Sequence, residues 1–133
     1  MLFRSAYLGQ VYIQKRMYRE AVEELQKAIT LSERNPDVIA TLGNAYAAAG
    51  DRQEAEKVIN ELIESSQRRY VPSYAVATIY AELGRKDEAF AWLEKAYAER
   101  SPTLVDLKVD PTLDALRSDP RYVELLRRVG LQA

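Results

Sequence analysis

The composition of this 133-residue chain indicates a soluble globular protein and excludes several classes of function. Its 19 basic and 20 acidic residues leave a formal net charge of −1, which argues against a nucleic-acid surface rich in lysine and arginine. Cysteine and histidine are both absent, which excludes disulfides, thiol nucleophiles, histidine bases and zinc sites of the Cys/His type. No apolar run approaches the roughly 20 residues of a membrane-spanning helix. We therefore expect no catalytic residue, cofactor or metal and no membrane insertion. The absence of cysteine leaves the compartment open, since a protein without disulfides occurs in any compartment, and our expectation is a cytoplasmic protein.

A set of residues recurs every 34 positions, three times along the chain. Tyr12, Tyr46 and Tyr80 mark this period. Leucine or valine lies four residues before each tyrosine, and glycine or alanine lies three residues before it. Nine residues after each tyrosine comes an alanine. A fixed period of this length indicates one supersecondary unit copied along the chain, and no single copy can bury its apolar face alone.

Apolar residues at helical spacing predict two helices in each copy. In chain order, the predicted helices cover residues 2–15, 18–32, 36–49, 51–65, about 72–83 and 86 to about 99. Gly50 suits the left-handed position that ends a helix, and Asp51 with Glu54 forms a capping-box pattern. The first turn has Arg16 where the other two copies have Gly50 and Gly84.

Small residues at two positions of each copy predict where its paired helices touch. They are Gly9, Gly43 and Ala77 on the first helices, and Ala21, Ala55 and Ala89 on the second. Two antiparallel helices joined by a three-residue turn can approach closely only where side chains are small. Packing alone explains this set, so we assign it no binding role.

The segment after the third copy is too short and irregular for another full repeat. An apolar stretch over residues 104–109 is followed by a predicted short helix over 110–117, which Pro111 opens. A last helix is predicted from Asp119 and Pro120 to about residue 129, where Gly130 stops it. We expect the segment to cap the last repeat, with inward-facing side chains at Leu113, Leu116, Val123 and Leu126.

The repeated pattern resembles the tetratricopeptide repeat, a helix–turn–helix unit with Leu-Gly-x-x-Tyr on its first helix and Ala-x-x-x-Phe on its second. Leu8-Gly9-x-x-Tyr12 and Leu42-Gly43-x-x-Tyr46 match it, and Val76-Ala77-x-x-Tyr80 is a conservative variant. The family's Phe position holds Leu25, Ile59 and Leu93 instead. The resemblance implies an all-α solenoid, a right-handed α-α superhelix of three helix–turn–helix repeats with a C-terminal capping helical segment. As a single domain over 1–133, it would have repeats at about 2–35, 36–69 and 70–101 and a cap at about 102–130.

The ending also resembles the C-terminal repeat regions of bacterial signalling proteins. The resemblance rests on Trp92-Leu-Glu-Lys-Ala-Tyr97, Leu107-Lys-Val-Asp-Pro111 and Leu116-Arg-Ser-Asp-Pro120. Such regions follow winged-helix, nucleotide-cyclase or Ser/Thr-kinase domains, so the resemblance implies the tail of a larger signalling protein. No residue of such a catalytic domain is present in this chain.

One side of the first helices is predicted to line a concave groove. The candidate partner-binding residues on this side are Phe3, Gln10, Ile13, Gln14, Asn44, Tyr74 and Thr78. Their apolar members can anchor a hydrophobic side chain, and their amide groups can bond an extended peptide backbone. The same side carries Asp37 and Glu82 but no lysine or arginine, which argues against a clamp for a C-terminal carboxylate.

Three functions compete at this point. The leading hypothesis is a protein–protein interaction module that binds a peptide or helix in the concave groove. The alternative is a self-association scaffold without a peptide ligand, which would make the chain a homo-oligomer. An enzyme is not expected, because carboxylate pairs such as Glu23 with Glu24 lie beside lysine on amphipathic helices, a pattern typical of a solvated face.

Overall fold

A computed structural model describes residues 2–131, and their regular structure is entirely helical. The chain divides into two compact units, with the boundary between Val71 and Pro72. The first unit contains α1 (Leu2–Gln14), α2 (Tyr18–Leu31), α3 (Pro36–Ala48) and α4 (Arg52–Ser65). The second contains α5 (Ser73–Glu82), α6 (Lys86–Ala98), the 3₁₀ helices η1 (Pro102–Asp106) and η2 (Pro111–Leu116), and α7 (Pro120–Val129). The all-α prediction is confirmed, and each predicted helix agrees to within one residue at each end. The repeat boundaries and the single domain stay predictions.

The turns inside the three hairpins share one backbone structure. The N–H five residues after each period-marking tyrosine donates to that tyrosine's carbonyl oxygen, at 2.8, 2.9 and 3.0 Å. The residue just before this donor is left-handed in all three turns, with φ of 61° at Arg16, 83° at Gly50 and 77° at Gly84. This is the Schellman ending of a helix. The first hairpin keeps it although a side chain in this region costs about 1–2 kcal/mol.

Asparagine and aspartate side chains begin several of the described helices. The Oδ1 atom of Asn35 accepts the Asp37 N–H at 2.8 Å at the start of α3. Asp51 accepts the Glu54 N–H at 3.3 Å, which confirms the first half of the predicted capping box. The Asp119 side chain caps α7 by accepting the N–H of Arg121, two residues further on. These bonds satisfy N–H groups that have no partner within the helix.

Close contact between the paired helices forms the core of the first unit. Ala21, Leu25 and Ala55 have no exposed surface. A methyl group placed on Gly9 would lie 2.6 Å from both Cγ and Cδ2 of Leu25, so α1 and α2 touch at this point. Gly9, one of the small residues predicted from the repeat, therefore marks a contact between paired helices, and the predicted Ala21 and Ala55 are fully buried.

In the second unit, α5 packs against both α6 and η2, and nearly all of its residues are buried. Leu113, Leu116 and Leu126 are buried as predicted. The prediction for Val123 was wrong, because 50% of it is exposed. The buried stripe of α7 instead runs through Tyr122, Leu125 and Leu126. This stripe follows the i, i+3, i+4 spacing of an amphipathic helix, and Val123 lies beside it.

Candidate partner-binding surface

Five of the seven candidate residues lie in the first unit, where they leave apolar and amide groups accessible. They are Phe3, Gln10, Ile13 and Gln14 on α1, and Asn44 on α3. Phe3 is 87% exposed, and both glutamines are exposed. Ile13 and Asn44 are half-buried. We call these five residues the inner face of the first unit.

A small pocket opens between α1 and α3 beside Gln10. Its volume is about 120 Å³, and its lining consists of Ala6, Gln10, Leu25, Asp37, Val38 and Thr41. Small-molecule sites have volumes of roughly 300–1,000 Å³, so this pocket suits one short side chain rather than a whole ligand. The alanine at position 6 leaves this space open. The pocket supplies an apolar subsite next to the amide of Gln10.

Asp37 is the charged residue in this lining. It is exposed and lies in the first turn of α3, where the helix dipole favours a carboxylate. The Thr41 hydroxyl donates to the backbone carbonyl of Asp37 at 3.0 Å and leaves the carboxylate outside this bond. A basic group on a bound peptide would therefore be attracted to the rim of the pocket.

The structure places the other two candidates, Tyr74 and Thr78, inside the second unit. Tyr74 is 7% exposed and Thr78 is 6% exposed. The Tyr74 hydroxyl donates to Oδ2 of Asp110 at 2.7 Å, and the Thr78 hydroxyl donates to the carbonyl of Ala75 at 2.7 Å. Their predicted accessibility to a partner was wrong, because η2 of the same chain packs against α5. Helical spacing alone does not reveal a segment that returns from later in the sequence.

Asp110 and Arg117 have a structural role that the sequence pattern did not indicate. The Thr112 N–H and hydroxyl donate to Oδ1 of Asp110 at 2.9 and 2.7 Å. The Arg117 guanidinium donates to the Asp110 carbonyl at 2.9 Å and to the Tyr122 hydroxyl at 2.6 Å. Burial raises the pKa of Tyr74, and its bond to Asp110 adds to the effect, so the phenol stays protonated and remains a donor. The Asp-Pro sequence signalled a helix start here, but not this network.

The described part of the chain contains neither a metal-binding cluster nor a helix that could cross a membrane. Among residues 2–131, no group of three or more Asp, Glu, His or Cys side chains is arranged to hold a metal ion. Within the same range, no helix combines the length and apolar character that crossing a membrane requires.

Comparison with known proteins identifies the family. Two family models, both described as tetratricopeptide repeat, match residues 12–71 and residues 73–100. No curated protein and no solved structure matches the chain significantly. The two matched segments contain the recurring tyrosines and the left-handed turns of the second and third hairpins. The chain therefore belongs to the tetratricopeptide repeat family.

Proposed function

We propose that this protein is an interaction module that binds an extended peptide or a helix on the inner face of the first unit. Tetratricopeptide repeats generally mediate contacts between proteins. The observation that carries the proposal is the pocket of about 120 Å³ beside the exposed amide of Gln10. An apolar subsite next to a hydrogen-bonding side chain is the arrangement that recognises one side chain and the backbone next to it.

The amide side chains supply the polar part of this recognition. Gln10 and Gln14 are four residues apart on α1, so they lie on one side of the helix. Each amide offers both a carbonyl acceptor and an N–H₂ donor, which match the N–H and C=O of a peptide backbone. Phe3, 87% exposed, can cover a further apolar side chain of the bound peptide.

The charge of the inner face indicates which peptide is preferred. The five residues that form it are uncharged, and Asp37 lies at the neighbouring pocket. A peptide with a short apolar side chain followed by lysine or arginine would fill the pocket with its apolar side chain and bring its cation close to Asp37. A free C-terminal carboxylate next to Asp37 would be repelled. The proposed ligand is therefore an internal, neutral to basic segment of a partner protein.

A peptide library tests this proposal. Peptides would first be selected on the full chain from an unbiased library. Fluorescence anisotropy would then give their affinity for the wild type, for Gln10→Ala and for Asp37→Lys. We expect each substitution to weaken binding about tenfold, since each removes a contact to the peptide. Gln53→Ala is the matched control, because Gln53 is an exposed glutamine on α4. Equal affinities for Gln10→Ala and the control would reject the inner face as the binding site.

Self-association is the second candidate function. Val105 and Val109 of the second unit are 67% and 72% exposed, and a second copy could cover them. Sedimentation equilibrium of the wild type and of Val105→Ser with Val109→Ser would test this. A chain that stays monomeric at high micromolar concentration would reject it.

We also propose, from the resemblance of the ending, that the module acts as the C-terminal part of a larger signalling protein. The complete reading frame around this sequence tests that proposal. A frame without a signalling domain before the repeats would contradict it.

A further inference from the structure

We propose that the connection between α4 and α5 is a cleavage site for a trypsin-like endopeptidase, which cuts the bond between Arg69 and Tyr70. We call residues 66–72 the α4–α5 segment. Because α4 ends at Ser65 and α5 begins at Ser73, it is the longest connection between two helices in the described part of the chain. The segment shares no residue with the inner face, so this proposal does not rest on the peptide site.

The α4–α5 segment is long because α5 begins late in its repeat. The helix α3 begins at Pro36, and the position 34 residues later is Tyr70, yet α5 begins only at Ser73. Pro72 accounts for the delay, because a proline disfavours helical backbone in the residue before it, here Val71. The backbone of Pro72 is itself extended rather than helical, with φ of −61° and ψ of 121°.

The backbone that follows Arg69 is accessible to a protease. Residues 66–70 are all exposed. Among residues 2–131, no backbone carbonyl accepts the N–H of Tyr70 or Val71. A peptide that binds as an added strand offers such N–H groups to its partner. Because Val71 is buried, binding also requires a local opening at this one side chain.

The arginine side chains of the segment are held only weakly by the rest of the chain. Arg68 lies 3.7 Å from the carboxylate of Glu64, and both side chains are 70% exposed. Arg69 donates to the carbonyl of Arg34 at 3.5 Å, which is longer than a usual N–H···O bond. Exposed contacts of this kind contribute little stability, so a protease can take up the Arg69 guanidinium at small cost. Trypsin holds such a side chain on an aspartate in its specificity pocket.

The proposed reaction is hydrolysis of one peptide bond. The oxygen of a water molecule bonds to the carbonyl carbon of Arg69, and the bond from that carbon to the Tyr70 nitrogen breaks. The nitrogen takes up a proton, so the products carry a new carboxylate and a new amine. The cut leaves every described helix whole, since it falls between the end of α4 and the start of α5. It breaks the covalent link between the unit with the inner face and the unit with the cap.

A second pair of arginines provides a matched control inside a helix. The sequence contains one other pair of adjacent arginines, Arg127 and Arg128. The Arg127 side chain is 72% exposed, about as much as that of Arg68. Both residues of the control pair lie in α7. A protease can cut there only after α7 unwinds, so the two pairs differ in backbone structure rather than in side-chain exposure.

Limited digestion of the full chain with trypsin tests the proposal, and intact-mass spectrometry identifies the first fragments. We expect fragments that end at Arg69 and begin at Tyr70 to appear at least about tenfold faster than fragments of a cut after Arg127 or Arg128. Arg69→Gln should slow the loss of the intact chain about tenfold, whereas Arg127→Gln should leave it unchanged. Circular dichroism confirms that each variant is folded.

Two further measurements separate the bond from its surroundings. The N–H groups of Arg68 and Arg69 both donate to the carbonyl of Ser65 at 2.9 Å, which holds the bond between the two arginines in a turn. Arg68→Gln should therefore leave the loss of the intact chain unchanged. A broad-specificity endopeptidase such as subtilisin should also make its first cut within residues 66–71, because access depends on the backbone.

Three results would overturn the proposal. The first is an initial trypsin cut at any other lysine or arginine, including the helical pair in α7. The second is an unchanged rate of loss of the intact chain in Arg69→Gln. The third is an initial subtilisin cut outside residues 66–71, which would show that the segment is no more accessible than the helices.

Discussion

Replacing Gly9 with alanine tests whether the first hairpin depends on the close approach of its two helices. The new Cβ atom would lie 2.6 Å from Cγ and Cδ2 of Leu25. Carbon atoms in favourable contact lie about 3.5–4.0 Å apart, so Leu25 would have to move by about 1 Å. Leu25 has no exposed surface, which leaves it little room for that movement.

Two opposing contributions set the magnitude of this effect. Alanine in a helix interior is favoured over glycine by about 1 kcal/mol. Overpacking a well-filled core costs about 1–3 kcal/mol. We therefore expect Gly9→Ala to lower the free energy of unfolding by about 1 kcal/mol, although intrinsic helix propensity alone predicts an increase.

A double-mutant cycle isolates the contact. Leu25→Ala alone should cost about 2–5 kcal/mol, because it leaves a cavity. In the double variant, the methyl group introduced by Gly9→Ala no longer clashes and fills part of that cavity, so we expect a favourable coupling of at least about 1 kcal/mol. Urea unfolding followed by circular dichroism measures all four proteins. An increase in stability for Gly9→Ala, or additive effects in the cycle, would refute the close approach.

Three further predictions concern a turn, the cap and the last helix. Arg16→Gly should stabilise the protein by about 1 kcal/mol in thermal unfolding, because it relieves the left-handed strain at Arg16. Gly50→Ala should destabilise it by a similar amount, because φ at Gly50 is 83°. A Cβ at Gly50 meets nothing within 4 Å, so this effect comes from backbone strain alone. A destabilising Arg16→Gly would contradict this account. Tyr74→Phe should lower the free energy of unfolding by about 1–2 kcal/mol, because it removes a donor to the Asp110 carboxylate. It should also reduce hydrogen-exchange protection in residues 102–117. Unchanged protection would contradict that role of Tyr74. Hydrogen bonding from Arg121 lowers the pKa of Asp119 from 3.8 to about 2. The stability that the ionised Asp119 carboxylate contributes is therefore present above pH 3.8 and is lost as the pH falls towards 2. Between pH 2 and 5, urea midpoints of Asp119→Asn should therefore vary less with pH than those of the wild type, and identical slopes would rule the contribution out.

Most of the fold could be predicted because its signals are local. Helix positions follow from apolar spacing, and helix ends follow from residues such as Asp119 and Gly130 that satisfy terminal backbone groups. The turn at Arg16 shows the limit of a residue-by-residue approach. A non-glycine residue there argues against a left-handed turn, yet the tertiary contacts of the hairpin hold φ at 61°. The period of 34 residues, which aligns Arg16 with Gly50 and Gly84, carries the signal for this turn that the local residue lacks.

The candidate surface was less predictable because its exposure depends on distant residues. Tyr74 satisfies the same helical spacing as Ala6 and Ala40, which lie 68 and 34 positions earlier. Its burial depends on Asp110, 36 residues further along the chain. The useful signal was the size difference, because a tyrosine where the other copies have alanine requires both extra space and a partner for its hydroxyl group.

The same helix position therefore has two different roles in the two units. In the first unit, Ala6 is small and leaves the pocket that we propose for a peptide side chain. In the second unit, Tyr74 fills the corresponding position and bonds Asp110, so the chain's own η2 segment covers α5. The side of α5 that η2 covers cannot also receive a ligand. The cap therefore excludes α5 from the proposed peptide site. The proposed site is therefore confined to α1 and α3, and Tyr74→Ala would loosen the cap rather than extend the proposed site.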